Sequence, residues 1–415
     1  MRANAILRGA GLVVAALCFG LSGSASMALA QDVGVDVGGS VFRAKNPESN
    51  RKKTANKPGT ATGTTKPGNR ATGNTRVRVA ERIEDLLEKG NEARDARKFA
   101  EAEAAYKEIL KLKARDARAA YGLGNVYSDQ QRWEDAEAAY RNSVAWAPFE
   151  ADAHIALSAV LVQPRAGGDN AKRFADAEML ARRSVQLDPK NAVGWDRLGV
   201  ALQNRGIVNS ETEHSYRKAI ELDPQFAAAY AHLARVLNKI GKASESPALY
   251  TKAVELAKEP ATLNLIAQSL QDEQLWAQSE PVLKRALDLD SRNATSLLLM
   301  GRMLVVYKRY QEAEPYLKSA TEVSSRAFQP FNLLGRAYLG MDRFSDAEAT
   351  YERASALAGA GERKQLAGVF GFEGVGDGYI KAQQKQNAAR AYQRALELDP
   401  ANSGAAEKLA KAKAN

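Results

Sequence analysis

Three histidines, His154, His214 and His232, are all that 415 residues contain, and no two form the His-x-x-x-His pair of a helical zinc site. The single cysteine, Cys18, lies within the first thirty residues, so a mixed Cys/His ligand set is out of reach. Neither Gly-x-Ser-x-Gly nor Gly-x-x-x-x-Gly-Lys-Ser/Thr occurs, which removes the strained nucleophile elbow and the phosphate-cradling loop. Gly371, Gly374, Gly376 and Gly378 cluster without Gly-x-Gly-x-x-Gly spacing or a strand ahead of them. Acidic residues recur in Glu/Asp-Ala-Glu runs such as Glu101 to Glu103, where a solvated helix face is the expectation. The chemistry open to this chain is therefore recognition. No catalytic residue, metal site or cofactor is expected.

The elements that would position recognition groups are short helices. From Ala120 to Pro148 the chain reads Ala-Tyr-Gly-Leu-Gly-Asn-Val-Tyr, a polar turn, Trp-Glu-Asp-Ala-Glu-Ala-Ala-Tyr and a closing proline. Apolar and small residues fall at helical spacing in two blocks, the pattern of a helical hairpin. The arrangement returns in steps of about 34 residues, and such self-similarity means stacked repeats. With Ala117 opening one copy, nine copies align between Ile83 and Asn402. The eighth position is always small: Gly90, Gly124, Ser158, Gly199, Ala234, Ala267, Gly301, Gly335 and Gly376. A large side chain there would force two closely crossing helices apart. The twenty-fourth position is bulky in all copies but one: Tyr106, Tyr140, Tyr216, Tyr250, Leu283, Leu317, Tyr351 and Tyr392, with Ala181 the exception. These side chains are expected to fill the space between successive hairpins. Pro148, Pro189, Pro224 and Pro400 close copies, because proline cannot continue a helix. Asp116, Asn191 and Asn293 are placed to cap the helices that follow.

This register resembles the tetratricopeptide repeat family, through the Trp195-Leu198-Gly199 run and the Gly124/Tyr127/Ala136/Tyr140/Pro148 set with its analogues, over roughly three quarters of the chain. The resemblance implies an all-α fold, a right-handed α-solenoid of about nine tandem hairpins with a C-terminal capping helix over 404–415. It also implies a concave surface lined by first helices, with positions two, five, nine and twelve pointing into it. Ninth positions include Asn91, Asn125, Arg235, Gln268, Arg302 and Arg336, and fifth positions include Asn264 and Asn332. From the fifth to the eighth copy these make a ladder of guanidinium and amide groups suited to the backbone or carboxylates of an extended peptide. Asn91 and Asn125 match the amides of the family's carboxylate clamp, but Leu87, Asp152 and Ala156 stand where its basic residues belong.

The start of the chain reads differently. Arg2 and Arg8, an apolar run from Leu12 to Leu21 and Ala28-Leu29-Ala30 before Gln31 have the layout of a secretory signal peptide over residues 1–30. The expected location is the bacterial periplasm, or the membrane if the leader is retained as an anchor. Residues 31–76 are expected to form a disordered basic linker, since 43–76 hold no Val, Ile, Leu, Met, Phe, Trp or Tyr. Asp32 to Val37 alternates like a short strand. Of the net charge of +10, residues 1–30 carry +2 and residues 31–80 carry +7, leaving +1 for the rest. A basic tether on a near-neutral folded part argues against nucleic acid as a partner and for, at most, a weak salt-sensitive attraction of 43–76 to anionic surfaces. Residues 77–415 are expected to hold the repeats. Two insertions of seven residues, near Pro164–Gly168 and Gly359–Gly368, interrupt the period.

The functional expectation is a non-catalytic protein-interaction scaffold of the cell envelope, with other proteins, such as envelope assembly or secretion components, as partners. The rival is a polymer-binding protein that recognises glycan or an anionic polymer through the groove or the tether.

Overall fold

A computed structural model describes residues 68–163, 165 and 168–414, with side chains from Arg76 onward. The leader, the strand-like Asp32 to Val37 stretch and the linker up to residue 67 lie outside the described residues. Within them the chain is helical, with no strand. The first helix, α1 (Gly68–Asp95), begins ahead of the Val77 boundary read from composition. Its packed part starts at Val79 and Ile83, so the earlier turns ride on a helix nucleated downstream.

Two compact units divide the chain, one ending at Ala257 and one beginning at Lys258. The first holds five hairpins: α1 with α2 (Phe99–Leu112), α3 (Ala117–Asp129) with α4 (Trp133–Trp146), α5 (Ala151–Leu161) with α6 (Asn170–Leu187), α7 (Ala192–Asn204) with α8 (Ser210–Leu222), and α9 (Ala227–Lys239) with α10 (Ser246–Leu256). The second holds four: α11 (Pro260–Asp272) with α12 (Trp276–Leu289), α13 (Ala294–Val306) with α14 (Tyr310–Val323), α15 (Phe328–Gly340) with α16 (Phe344–Leu357), and α18 (Phe372–Lys381) with α19 (Lys385–Leu398). The insertion before the ninth hairpin folds into a short helix, α17 (Ala360–Ala367), and α20 (Ser403–Ala414) packs on α19 as the terminal cap. Each hairpin packs on its neighbours in chain order within its unit.

Sequence punctuation works as expected. Asp116 accepts from the backbone N–H of Arg118 and Ala119, Asn191 from Val193 and Gly194, and Asn293 from Ser296 at 3.1 Å. Outside the α5–α6 connection, the turns between paired helices carry a residue in the left-handed region. It is glycine at Gly206 and Gly241, but Arg97, Gln131, Gln274, Lys308, Asp342 and Gln383 take it elsewhere, at φ between 57° and 62°.

The small eighth and bulky twenty-fourth positions belong together. A Cβ on Gly90 would approach the Tyr106 ring to 2.8 Å, and one on Gly199 would approach Tyr216 to 2.5 Å. Gly124 with Tyr140, Gly335 with Tyr351 and Gly376 with Tyr392 repeat the contact, and Gly301 with Leu317 makes its aliphatic version. The bulky side chain therefore seats first on its own hairpin. At Tyr106 the same ring also meets Gly122 of the next hairpin, the role read from the sequence. Tyr106, Tyr216, Tyr351 and Tyr392 are among the largest fully buried side chains.

The acidic runs on second helices, expected to be solvated, do more than that. Glu137, Glu178 and Glu213 are buried, and each accepts from a basic residue of the following hairpin. Arg173 donates to Glu137 at 2.5 Å, Lys242 to Glu213 at 2.8 Å, and Arg205 to Glu178. Glu103, Glu280, Glu314 and Glu348 repeat the pairing with Arg132, Arg309, Arg343 and Arg390. All seven occupy the twenty-first position of their copies, where helix packing places a following hairpin's base beside them. The Arg165 side chain, in the first insertion, reaches Glu137 at 3.2 Å.

Candidate functional site on the first-helix face

The eight groove candidates fall into three groups, with Arg235 standing apart. Asn91 and Asn125 are engaged by the core tyrosines, whose hydroxyls (Tyr106 and Tyr140) donate to their Oδ1 atoms at 2.7 Å in both cases. The clamp reading loses its setting as well, because Leu87 is buried in the core beside them. Asn264 and Gln268 are also engaged. Asn264 Nδ2 donates to Asn293 at 2.9 Å while its oxygen accepts from Ser296 at 2.7 Å, and Gln268 donates to Asp272 at 3.1 Å. Arg235 is half-buried on α9. Arg302, Asn332 and Arg336 form the third group.

Arg302, on α13, is only 9% exposed. Its Nε and Nη2 both donate to Gln271 Oε1, at 2.9 and 2.5 Å, and the Trp276 ring lies 5.5 Å from its guanidinium carbon. Among the described residues no carboxylate lies within ion-pair distance of it. Burial pulls its pKa down, opposed by the more distant charge of Asp272. On α15 the neighbouring repeat presents Gln329, Asn332 and Arg336 at its second, fifth and ninth positions. Gln329 and Asn332 are each 6% exposed, and neither side-chain amide makes a hydrogen bond among the described residues. Arg336 stacks its guanidinium over Phe370 at 4.9 Å, in the segment between α17 and α18. The Tyr351 hydroxyl, which elsewhere would meet a ninth-position side chain, donates instead to the Phe370 carbonyl at 2.7 Å. That leaves the Arg336 side chain without a tyrosine partner.

Sequence reasoning missed a second buried cluster, in the first unit. Asp196 on α7 is fully buried, and its two oxygens bind Arg197 Nη2 at 2.6 Å and His232 Nδ1 at 2.7 Å. Burial alone would raise the Asp196 pKa, but His232 and Arg197 together hold it below the usual carboxylate range. The Tyr216 ring centroid lies 5.3 Å from that of His232, with the phenol pKa well above its ordinary value through burial. Arg197 and His232 line a small cleft of about 50 Å³ with Trp133, Tyr140, Ala159 and Val200. A signal existed: Arg197 and His232 share the sixth position of consecutive copies, where Ala156, Leu265, Leu299 and Leu333 stand in others. Among the described residues no group of three His, Cys, Asp or Glu is arranged to hold a metal ion, and no helix is long and apolar enough to cross a membrane.

Family profiles for the tetratricopeptide repeat match residues 87–151, 264–328, 331–365 and 375–402. Cellulose synthase operon protein C of Xanthomonas axonopodis pv. citri (strain 306) is 32% identical over 180 residues, which are 42% of this chain but only 12% of that protein's length. Among solved structures, the Cut9–Hcn1 hetero-tetramer of APC/C covers 75% of this chain and 59% of its own, at 16% identity and a TM-score of 0.47. TTC0263, a thermophilic repeat protein of Thermus thermophilus, covers 46% of this chain and 99% of its own, at 20% identity and a TM-score of 0.39. MamA covers 40% and 93%, at 23% identity and a TM-score of 0.35.

Proposed function

The chain belongs to the tetratricopeptide repeat family, and from that premise we propose that it is a non-catalytic scaffold of the bacterial envelope that binds extended protein segments on its first-helix face. One observation carries the reading. Polar groups on second helices are tied across repeat junctions, whereas the side chains of Gln329, Asn332 and Arg336 on α15 make no hydrogen bond among the described residues. Arg336 is half-buried and the polar atoms of Gln329 and Asn332 are not sealed from water, so this unengaged set is open to a partner with backbone amides and carbonyls. An extended segment supplies both at regular spacing.

The envelope part of the proposal rests on the leader-like residues 1–30 and draws support from the name of the partial relative, a cellulose synthase operon protein. Ninth positions carry Arg and amide groups, whereas sugar binding favours flat aromatic surfaces, and this weighs against the polymer reading. Two measurements test the proposal. Cross-linked envelope extracts are captured with the wild type and with an R235A/R302A/R336A variant, and a partner retained by the first is expected to be lost from the second. Equal capture removes the groove. N-terminal sequencing of the native protein is expected to begin at Gln31, and a sequence beginning at the initiator would remove the cleaved leader and leave only a retained anchor or no export.

A further inference from the structure

We infer that the first-helix face of α13 and α15 selects acidic segments, with two carboxylates about three residues apart seated on Arg302 and Arg336. This rests on the scaffold reading above and names the chemistry of its ligand. Arg302 is nine-tenths buried, yet both of its engaged nitrogens share one neutral acceptor, Gln271 Oε1. A guanidinium taken out of water needs a counter-charge, the amide oxygen supplies only a dipole, and the charge of Asp272 acts from beyond ion-pair distance. The contrast with Arg197 is direct, because that equally buried guanidinium has Asp196 at 2.6 Å. The remaining nitrogen of Arg302, Nη1, donates to no group among the described residues and is not sealed from solvent, so a hydrogen-bonding direction stays open. The Trp276 ring over the guanidinium holds it in place without neutralising it.

The neighbouring helix supplies the second point of attachment. Arg336 occupies the same repeat position one hairpin on, and it too lacks a carboxylate partner among the described residues. Packed first helices lie about 10 Å apart. A chain in the polyproline II conformation advances about 3.1 Å per residue and returns to the same face every third residue, so side chains three residues apart span about the same gap on one side. Asn332 and Gln329 flank the pair with unengaged amides, each able to donate to a ligand carbonyl and accept from its N–H. A point anion would use the arginines alone. A peptide also uses the amides, and that is why the observations favour a peptide.

The test uses the full chain and fluorescein-labelled twelve-residue peptides of Gly, Ser and Thr, with aspartates at the fifth and eighth positions or asparagines at both, read by anisotropy. The aspartate peptide is expected to bind at least about tenfold tighter, the scale of a charge-assisted hydrogen bond. Arg302→Gln is expected to abolish the difference and Arg336→Gln to reduce it. The thermal midpoint of Arg302→Gln is expected to hold or rise, because a buried charge with no carboxylate in contact has been removed. Loss of thermal stability with the aspartate preference intact would show Arg302 to be structural and overturn the inference. Equal binding of both peptides would overturn the acidic preference while leaving the scaffold reading in place. Binding of oligogalacturonate but of neither peptide would overturn both in favour of the polymer reading, and binding of none of the three would remove this face as a site.

Discussion

Arg197 and Arg302 are two buried arginines on first helices, one in each compact unit, with 3% and 9% of their surface exposed. Around Arg197 the fold supplies a buried acid, Asp196, and a histidine that shares it. Around Arg302 it supplies an amide, an indole and, beyond ion-pair distance, the charge of Asp272. Residue type, helix and burial are nearly the same, and what differs is whether the protein itself balances the charge. A balanced arginine is part of the structure. An unbalanced one is held ready for something from outside. The repeat-junction pairs such as Glu137 with Arg173 follow the Arg197 pattern at a half-sheltered surface, with side chains 12% and 11% exposed.

Breaking the balanced site should have the largest effect. Asp196→Ala leaves the Arg197 charge buried without its partner and is expected to destabilise the first unit by about 3–5 kcal/mol, measured by urea unfolding. A change under about 1 kcal/mol would mean that water reaches the cluster and the contrast with Arg302 is overdrawn. Glu137→Ala, which strips the acid from Arg173, Arg165 and Arg141, is expected to cost about 2–3 kcal/mol in the same assay. Glu314→Ala, whose partner Arg343 is 41% exposed, should cost under about 1 kcal/mol.

Acid titration sharpens the same comparison. Burial raises Glu137, Glu178 and Glu213, but their arginine and lysine partners outweigh it, so each carboxyl ends below its ordinary value, as does Asp196. A carboxyl depressed by folding contributes stability that is fully present above its unfolded pKa and is lost as pH falls through the folded one. The unfolded values are 4.5 for Glu and 3.8 for Asp, so stability should be level down to about pH 5 and fall below it. Chemical denaturation at stepped pH checks this, and Glu137→Gln should flatten the fall. A decline already complete above pH 5 would contradict the depressed carboxylates.

The smallest effect is expected at the unbalanced site. Arg336→Gln has no hydrogen bond among the described residues to lose and should change stability by less than about 0.5 kcal/mol, read by thermal unfolding. A larger loss would make its stacking on Phe370 a structural contact and bring the α15 face closer to the Arg197 pattern.

Much of the architecture was legible in the residues. Small eighth positions facing bulky twenty-fourth ones fixed the register, and Asp116, Asn191 and Asn293 cap helices as their types suggest. The junction glutamates were misjudged, since a Glu-Ala-Glu run looks the same whether or not a following hairpin brings a base to it. Repeat position alone marks the groove candidates, and position does not say what else a side chain touches. Asn125 and Asn332 are both first-helix asparagines, yet Tyr140 takes the first and no described protein group takes the second.

Local pattern determined the repeats of this protein, because spacing, small-residue limits and caps act within some thirty residues and each hairpin sees only its neighbours. Tertiary structure alone decided which polar groups are satisfied. Whether Asp196 meets His232, or Arg302 meets Gln271, depends on side chains 36 and 31 residues apart arriving within 3 Å, and a hydrogen bond falls off too steeply with distance for spacing to foretell it.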